Sequence, residues 1–337
     1  MLSQRLPLAL ADAGPLPATG AVLVHGARAD GGLSALPRDR VVVVQGFRPD
    51  HDALVGQGFT VVPQASDVTE PAAAAIVSLP RARAAARDAV ASVLRRLRPG
   101  APVWIDGQKT DGVDSMLKEL RARVAVSQPI SKAHGKIFRF DRPADDSFSD
   151  WLAGDIMPAP GFVTRPGVFS ADAVDRGSAL LASALPERLG ARVADFGAGW
   201  GWLSAQILAR DGVAALDLVE ADHLALACAR RNVTDPRAAF HWADATRFRP
   251  ERRYDAVVTN PPFHTGRAAE PGLGVAFITA AAATLSPQGA LWLVANRQLP
   301  YEAALTRLFR DVREVGGDKG FKVLSASGVV NAPRSGA

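Results

Sequence analysis

A short apolar run that stops at three closely spaced glycines constrains the fold of this chain more than any other feature. The run Val193-Ala194-Asp195-Phe196 leads into Gly197-Ala198-Gly199-Trp200-Gly201, and Leu203 to Ala209 then shows helical character. Glycines allow a tight turn and the close approach of a ligand, and the start of a helix offers unpaired backbone N–H donors. The segment therefore predicts a strand, a ligand-binding turn and a helix.

Strands and helices alternate along both halves of the chain. In the second half, further strands are expected at 215–219, 256–259, 290–294 and 321–324, and helices at 224–232, 275–285 and 301–309. In the first half, strands are expected at 41–45, 59–62, 75–78, 103–105 and 137–140, and helices at 81–98 and 112–123. This alternation predicts an α/β fold with mostly parallel sheets, in which ligands bind at the carboxyl ends of the strands.

The two halves resemble each other, which indicates an internal duplication. Residues 99–105 resemble 287–293, and 76–80 align with 258–261 in a way that places Leu79 on Asn260. No glycine-rich pattern like that of the second half follows the apolar run 21–26. We therefore predict two tandem Rossmann-like domains, 1–148 and 149–337, of which the first is degenerate.

Composition limits the class of protein and of partner. The chain has 337 residues, one cysteine (Cys228) and a net charge of +5. Between Arg81 and Arg142 there are 14 Lys/Arg and 6 Asp/Glu, so the net positive charge of this stretch alone is larger than that of the whole chain. A basic zone of this kind favours a polyanionic partner. We expect a cytoplasmic protein, because no run is long enough for a membrane span, the start does not resemble a signal peptide and no internal disulfide can form.

Carboxylates accompany the glycine loop at spacings that suit a nucleoside. Glu220 ends the next strand, 19 residues past Gly201, where it can accept hydrogen bonds from both ribose hydroxyls. Asp244 follows the expected strand 240–243, where it can meet an adenine amino group. A glycine loop alone would also suit an NAD-dependent dehydrogenase. The leading Asp195 and the spacing of the glycines instead favour S-adenosyl-L-methionine.

The strand at 256–259 ends in Asn260-Pro261-Pro262-Phe263, a tetrapeptide suited to the methylation of an amine. An exocyclic amine on a base is a poor nucleophile, because its lone pair is delocalised into the ring. The side-chain oxygen of Asn260 can accept one N–H and the carbonyl of Pro261 the other, which directs the lone pair at the methyl sulfonium. The prolines fix the backbone, and Phe263 can stack on the base. These four residues are the predicted catalytic set.

These motifs together resemble the RsmC/RlmG group of bacterial ribosomal RNA guanine-N2 methyltransferases. The resemblance covers about Gly161 to Ser325 and includes Arg165-Pro166-Gly167-Val168-Phe169-Ser170, Asp175 and Gly177, the glycine loop, Asn260-Pro261-Pro262-Phe263-His264, Val294-Ala295-Asn296 and Gly320-Phe321-Lys322-Val323. It implies two tandem class I methyltransferase domains, of which the first is degenerate and assists folding or RNA binding. It also implies that the segment containing Phe169 borders the cofactor site. The expected cofactor-binding residues are thus Phe169, Asp195, Gly197, Ala198, Gly199, Gly201, Glu220, Asp244 and Asn260.

The expected partner is ribosomal RNA or a ribosomal subunit, bound by a monomer without a metal ion. Lys132 and Lys136, in the basic loop 131–136, are predicted to contact RNA. The sequence leaves 16S and 23S RNA open, with 16S favoured. The alternatives are a protein glutamine-N5 or DNA adenine-N6 methyltransferase, in which Tyr is usual where this chain has Phe263, and a non-catalytic RNA-binding or ribosome assembly factor.

Overall fold

The computed structural model describes residues 2–12, 14–262 and 271–330. Internal contacts divide the chain into two compact units. The N-terminal unit is Met1–Asp155 with Arg165–Gly167, and the C-terminal unit is Ile156–Thr164 with Val168–Ala337. The division thus lies a little beyond residue 148, and one short segment returns to the first unit.

The N-terminal unit is a seven-stranded sheet with helices. Its helices are α1 Leu2–Asp12, α2 Arg48–Gly56, α3 Arg83–Leu94 and α4 Val113–Arg121. Its strands are β1 Val22–His25, β2 Val41–Val44, β3 Thr60–Val62, β4 Ala74–Ser78, β5 Pro102–Gln108, β6 Ile130–Lys132 and β7 Gly135–Asp141. They lie in the order β3-β2-β1-β4-β5-β7-β6. The first five strands are parallel, and β7 is antiparallel to both of its neighbours.

The C-terminal unit begins with a hairpin of β8 Ile156–Ala159 and β9 Phe162–Thr164. The strands of its main sheet are β10 Arg192–Phe196, β11 Ala215–Glu220, β12 Ala238–Trp242, β13 Tyr254–Thr259, β14 Leu285–Asn296, β15 Phe309–Gly317 and β16 Phe321–Val329. Its helices are α5 Arg176–Ala184, α6 Trp202–Leu208, α7 His223–Asn232, α8 Pro271–Thr284 and α9 Glu302–Leu308. The strand order is β12-β11-β10-β13-β14-β16-β15.

Both sheets therefore have the same strand order, as a duplication requires. This confirms the predicted α/β class with two tandem Rossmann-like domains. The central strands are apolar on both faces because helices cover both: Val257 of β13 lies in a core with Ile278 of α8, whereas Val258 lies in a core with Leu181 of α5 and Leu226 of α7. Within the described residues, no helix is long and apolar enough to cross a membrane.

Strand pairing identifies the residues that correspond between the units. Ile76 of β4 and Val258 of β13 each pair with the tryptophan of the next strand. Counting two residues on from each, Ser78 corresponds to Asn260, so the prediction that Leu79 occupies this position is wrong. In the N-terminal unit one more residue, Leu79, precedes the proline. Its backbone N–H still donates to the carbonyl of Asp106 on β5 at 2.8 Å.

The N-terminal unit lacks the carboxylates as well as the amide of the second half. The same registers place Val24 where the other unit has Asp195. Gln45, which directly follows β2, stands where the other unit has Glu220. Its side-chain Nε2 donates to the carbonyl of Ala27 at 2.7 Å, a hydrogen bond that a carboxylate could not make. The N-terminal unit is therefore degenerate in the sense that it lacks the two carboxylates and the amide of the predicted site.

Helix α1, which the sequence analysis missed, contributes a buried ion pair to the N-terminal unit. Its stripe of Leu2, Leu6 and Ala9 is buried in the core. Arg5 of the same helix is 1% exposed and donates to both carboxylate oxygens of Asp106, at 2.6 and 2.9 Å. A bidentate pair of this kind satisfies two charges that would be costly to bury alone.

Candidate active site

One cleft in the C-terminal unit brings together five of the predicted site residues, namely Phe169, Gly197, Ala198, Gly199 and Asn260. It lies where the chain leaves the carboxyl ends of β10 and β13, beside the point at which the strand order reverses, which is the usual ligand position in such sheets. The cleft is lined by Phe169, Ser170, Asp175, Ser178, Gly197, Ala198, Gly199, Trp200, Trp202, Leu203 and Asn260.

The three glycines of the loop after β10 all have positive φ, at +76° for Gly197, +55° for Gly199 and +86° for Gly201. Gly199 and Gly201 serve different purposes. A Cβ at Gly199 would meet open space, so this residue presents bare backbone to the cleft. A Cβ at Gly201 would lie 2.9 Å from Cγ2 of Val233 and 3.2 Å from Cβ of Ala229. Gly201 therefore permits close packing on α7 rather than contact with a ligand.

Asp195 lies beneath the loop and not on the wall of the cleft. Its side chain is fully buried, and Oδ2 accepts a hydrogen bond of 2.6 Å from Oγ of Ser204 in α6. Oδ1 has no partner among the described residues. Burial raises the pKa of Asp195 to about 7. Asp195 thus ties the start of α6 to the strand and keeps one oxygen free for a donor.

Glu220 links the second strand to the glycine loop. Oε2 accepts from the backbone N–H of Gly199 at 2.8 Å, and Oε1 accepts from that of Asp222 at 2.7 Å. Burial raises the pKa of Glu220 to about 7. An ionised carboxylate has about four acceptor positions, so two stay available for ribose hydroxyls. Glu220 holds the loop that lines the cleft but is not itself among the lining residues, so its contact with a ribose stays a prediction.

Asp244 is not among the residues that line the cleft. It follows β12, and its Oδ1 accepts from the backbone N–H and the hydroxyl of Thr246 at 2.8 and 2.6 Å. This is an Asx turn, which fixes the loop after the strand. Oδ2 lies 4.0 Å from Nε of Arg247. Contact between Asp244 and an adenine stays a prediction.

Asn260 brings the amide into the same cleft. The hydroxyl of Thr259 donates to the carbonyl of Phe196 at 2.7 Å, which joins the ends of β13 and β10. The Nδ2 of Asn260 donates to Oδ2 of Asp175 at 2.7 Å and to Oγ of Ser178 at 2.9 Å. Its Oδ1 is buried and has no partner among the described residues. The amide oxygen is thus the end of the side chain left to accept a hydrogen bond.

The rest of the predicted tetrapeptide is described in part. Pro261 is buried and Pro262 is exposed. Phe263 and the neighbouring His264 lie outside the described residues, so stacking of Phe263 on a base stays a prediction.

Phe169 stands at the mouth of the cleft with an exposed ring. It is 63% exposed, although the preceding Val168 is 5% exposed and packs with Trp200. The following residue, Ser170, has a φ of +51°, which is unusual for a residue other than glycine. An exposed aromatic ring held between a buried anchor and such a turn can stack on a bound planar group.

Sequence reasoning gave no role to Asp175 and Ser178, which hold the amide of Asn260. Asp175 is the N-cap of α5, with Oδ2 accepting from the backbone N–H of Ser178 at 2.7 Å. The signal was present, because Asp followed three residues later by Ser, ahead of an apolar run, is typical of a helix start. Helix α5 was not predicted, so the pattern was not used.

The two lysines predicted to bind RNA lie in the N-terminal unit, in different settings. Lys132 is exposed at the end of β6, before a turn in which Ala133 and His134 have positive φ. Lys136 forms an ion pair with Asp114. The pairing registers match Lys136 with Lys322, which pairs with Glu302 in the other unit. Lys136 thus has a structural partner, and Lys132 is the better candidate for a contact with RNA.

The features of the cleft are compatible with S-adenosylmethionine. Gly199 leaves room against the backbone, Glu220 beside the loop has acceptor positions left, and Oδ1 of Asn260 has no partner among the described residues. In the described ranges, no group of three or more His, Cys, Asp or Glu side chains could hold a metal ion.

Comparisons with known proteins agree with this geometry. Residues 160–325 match the family of methyltransferase small domains. A ribosomal RNA small subunit methyltransferase C from Hahella chejuensis is 31% identical over 257 residues, which cover 74% of this chain and 75% of the relative. The protein of the same name from Chromohalobacter salexigens is 32% identical, covering 78% and 80%. The solved structure of the T. thermophilus 16S rRNA N2 methyltransferase RsmC, in complex with AdoMet and guanosine, matches with a TM-score of 0.78 and 25% identity over 93% of this chain and 89% of that one.

Proposed function

The chain belongs to the ribosomal RNA small subunit methyltransferase C family, and we propose that it transfers a methyl group from S-adenosyl-L-methionine to the exocyclic N2 amine of a guanine in 16S ribosomal RNA. The observation that carries this proposal is that Asn260 and the glycine loop share one cleft, with the amide oxygen buried and lacking a partner among the described residues. An amide oxygen in this position is suited to accept an N–H from an amine next to the methyl donor.

The residues of the cleft promote methyl transfer by orienting the amine toward the methyl group. When bound, S-adenosylmethionine would supply a methyl group on a sulfonium sulfur, which leaves as a neutral thioether. Oδ1 of Asn260 accepts one hydrogen of the amine, and the carbonyl of Pro261 accepts the other. With both hydrogens held out of the ring plane, the nitrogen lone pair is directed at the methyl carbon. Positioning of this kind can supply several kcal/mol of rate enhancement, about 7–11 at the upper limit.

The guanine must leave its stack or lie in a single strand to enter the cleft. We propose that Phe263 stacks on the target base, since base–aromatic stacking contributes about 1–3 kcal/mol per base. We propose that the exposed ring of Phe169 instead contacts the adenosine part of S-adenosylmethionine.

The N-terminal unit carries features that favour binding of RNA over methyl transfer. Its basic segment and the exposed Lys132 favour binding of the phosphate backbone, while Val24, Gln45 and Ser78 replace the residues that the proposed reaction needs. We propose that this unit binds RNA and takes no part in methyl transfer, and that the protein works as a monomer in the cytoplasm on ribosomal RNA or a ribosomal subunit.

The proposal is tested by supplying the purified protein with S-adenosylmethionine labelled in the methyl group. The acceptors are naked 16S RNA, 30S subunits, 50S subunits, duplex DNA and a peptide release factor. We expect transfer to 16S RNA or 30S subunits, with N2-methylguanine as the labelled nucleoside after digestion. Transfer only to DNA or to the release factor would contradict the proposal. Binding of RNA without any transfer would favour an assembly factor.

A further inference from the structure

The carboxamide of Asn260 is held at its nitrogen end. The amide NH2 has two hydrogens, and two acceptors receive them, namely Oδ2 of Asp175 at 2.7 Å and Oγ of Ser178 at 2.9 Å. An ionised carboxylate accepts hydrogen bonds and donates none, so the nitrogen must be the end that faces Asp175. The contact therefore determines which end of the amide points at the reacting amine.

We propose that Asp175 and Ser178 are positioning residues, which keep Oδ1 of Asn260 turned toward the substrate amine. This inference rests on the proposed function. A flipped amide would place its own N–H donors against those of the substrate, and no hydrogen bond would form. The two acceptors thus exclude the unproductive orientation before the substrate arrives.

The same oxygen of Asp175 also fixes the start of α5, which makes the arrangement rigid. Oδ2 accepts from the backbone N–H of Ser178 as well as from Asn260. A Cβ at Gly177 would lie 3.1 Å from this oxygen and 3.3 Å from the ring of Phe321, so glycine leaves room for the carboxylate to reach across. The cap of a helix and the orientation of the amide therefore depend on one atom.

The substitution Asp175→Ser separates these two tasks. Serine is a good N-cap, so α5 should keep its start. Its hydroxyl is on a shorter side chain and cannot serve both Ser178 and Asn260. We expect kcat to fall by about tenfold to 100-fold, as for small displacements of a reacting group, with little change in KM for RNA or in the Kd for S-adenosylmethionine. Ser178→Ala, which removes one acceptor, should give a smaller fall of the same kind.

A matched control and a conservative variant accompany this test. Asp255 also accepts from two backbone N–H groups, those of Ala191 and Arg192, but lies at the other end of β13 from Asn260. Asp255→Ser should therefore leave kcat within about twofold of wild type. Asp175→Asn keeps the cap and one acceptor oxygen, so it should retain more activity than Asp175→Ser.

A double-mutant cycle shows whether Asp175 acts through Asn260. Single-turnover rates are compared for Asp175→Ser, Asn260→Ala and the double variant. We expect the first substitution to have almost no further effect once the amide is gone. The same fold-loss in both backgrounds, an unchanged kcat, or a raised Kd for S-adenosylmethionine with unchanged kcat would each overturn the inference.

A second measurement needs no RNA and is independent of the proposed function. The side-chain NH2 of Asn260 is observed by 15N NMR in the free protein and assigned by its loss in Asn260→Ala. We expect two distinct, slowly exchanging amide hydrogens in wild type and in Asp255→Ser, and fast exchange in Asp175→Ser. Fast exchange in wild type would overturn the inference even if methyl transfer is as proposed. Failure of methyl transfer with protected hydrogens would count against the function alone.

Discussion

Glu220 accepts a 2.8 Å hydrogen bond from the backbone N–H of Gly199, which connects the end of β11 with the loop after β10. The carboxylate that we propose to bind the ribose therefore also fixes the backbone of the glycine loop. Burial raises the pKa of this carboxyl to about 7, so its charge changes with pH near neutrality. Cofactor binding should therefore be coupled to protonation.

We predict that the affinity for S-adenosylmethionine rises between pH 6 and pH 8. Ribose hydroxyls donate to the ionised carboxylate, so binding lowers the pKa of Glu220 from about 7 and releases a proton near neutral pH. Calorimetry in buffers of different ionisation enthalpy measures this release. Glu220→Gln should lose it, together with much of the affinity. In Glu302→Gln the release should persist, because the pKa of Glu302, although burial acts to raise it, is lowered by the hydrogen bond and charge of Lys322.

The thermal stability of the cofactor-free protein should change with pH in the direction opposite to the affinity for S-adenosylmethionine. A carboxyl whose pKa is raised on folding contributes stability below its unfolded pKa, and this stability is lost as pH rises through the folded value. The melting temperature of the cofactor-free protein should thus fall between about pH 4.5 and 7, and less so in Glu220→Gln. A Glu220→Gln variant with the slope of wild type would contradict the raised pKa.

Alanine at Gly199 and at Gly201 should separate binding from stability. Both glycines have positive φ, where an L-residue costs about 1–2 kcal/mol. Gly201→Ala adds a clash with Val233 and Ala229, so it should cause the larger fall in melting temperature. Gly199→Ala meets open space at a residue that lines the cleft, so it should raise the Kd for S-adenosylmethionine. Equal effects of the two variants on both quantities would contradict these roles.

Cofactor should bind with a stoichiometry of one per chain. The N-terminal unit has Val24, Gln45 and Ser78 at the positions of the carboxylates and the amide, and the side chain of Gln45 donates to the carbonyl of Ala27. Calorimetric titration should therefore give one site, and Gln45→Ala should not change it. Two sites per chain would show that the first domain keeps its binding function.

The alternation of strands and helices was sufficient to predict the class of fold, the duplication and most strands. The elements that it missed include α1, α2, α5, β6, β8, β9 and β15. Helix α1 contains Pro7 and a charged Arg5 on its buried side, and only the ion pair with Asp106 explains why that charge is tolerated. The sequence does not show such a long-range partner.

The glycine loop, Glu220 and Asn260 could be predicted because each ends a strand of the same sheet, and strand ends meet at one edge. The contacts of Asn260 with Asp175 and Ser178 could not, since they join residues more than 80 positions apart. The alignment that placed Leu79 on Asn260 matches Pro80 with Pro261. The hydrogen-bond register of the two sheets instead matches Ser78 with Asn260.

RNA affinity should depend on Lys132. Reversing its charge with Lys132→Glu removes one phosphate contact, so affinity should fall and the slope of log affinity against log salt should become shallower by about one unit. Arg252→Glu is the control, because Arg252 is exposed beside the amino end of β13, opposite to the cleft. Electrophoretic mobility shifts of 16S RNA at several salt concentrations measure both quantities. An unchanged slope in Lys132→Glu would exclude this contact.

The most direct test of the account is the methylation of 30S subunits, or of 16S RNA, by Asn260→Ala. This variant should bind S-adenosylmethionine with nearly the wild-type Kd and form N2-methylguanine only at a residual rate that single-turnover assays detect, while wild type labels one guanine. The alanine removes the acceptor for the amine and leaves Glu220 and the glycine loop in place. Formation of N2-methylguanine by Asn260→Ala at the wild-type rate would contradict the central claim that this amide orients the amine.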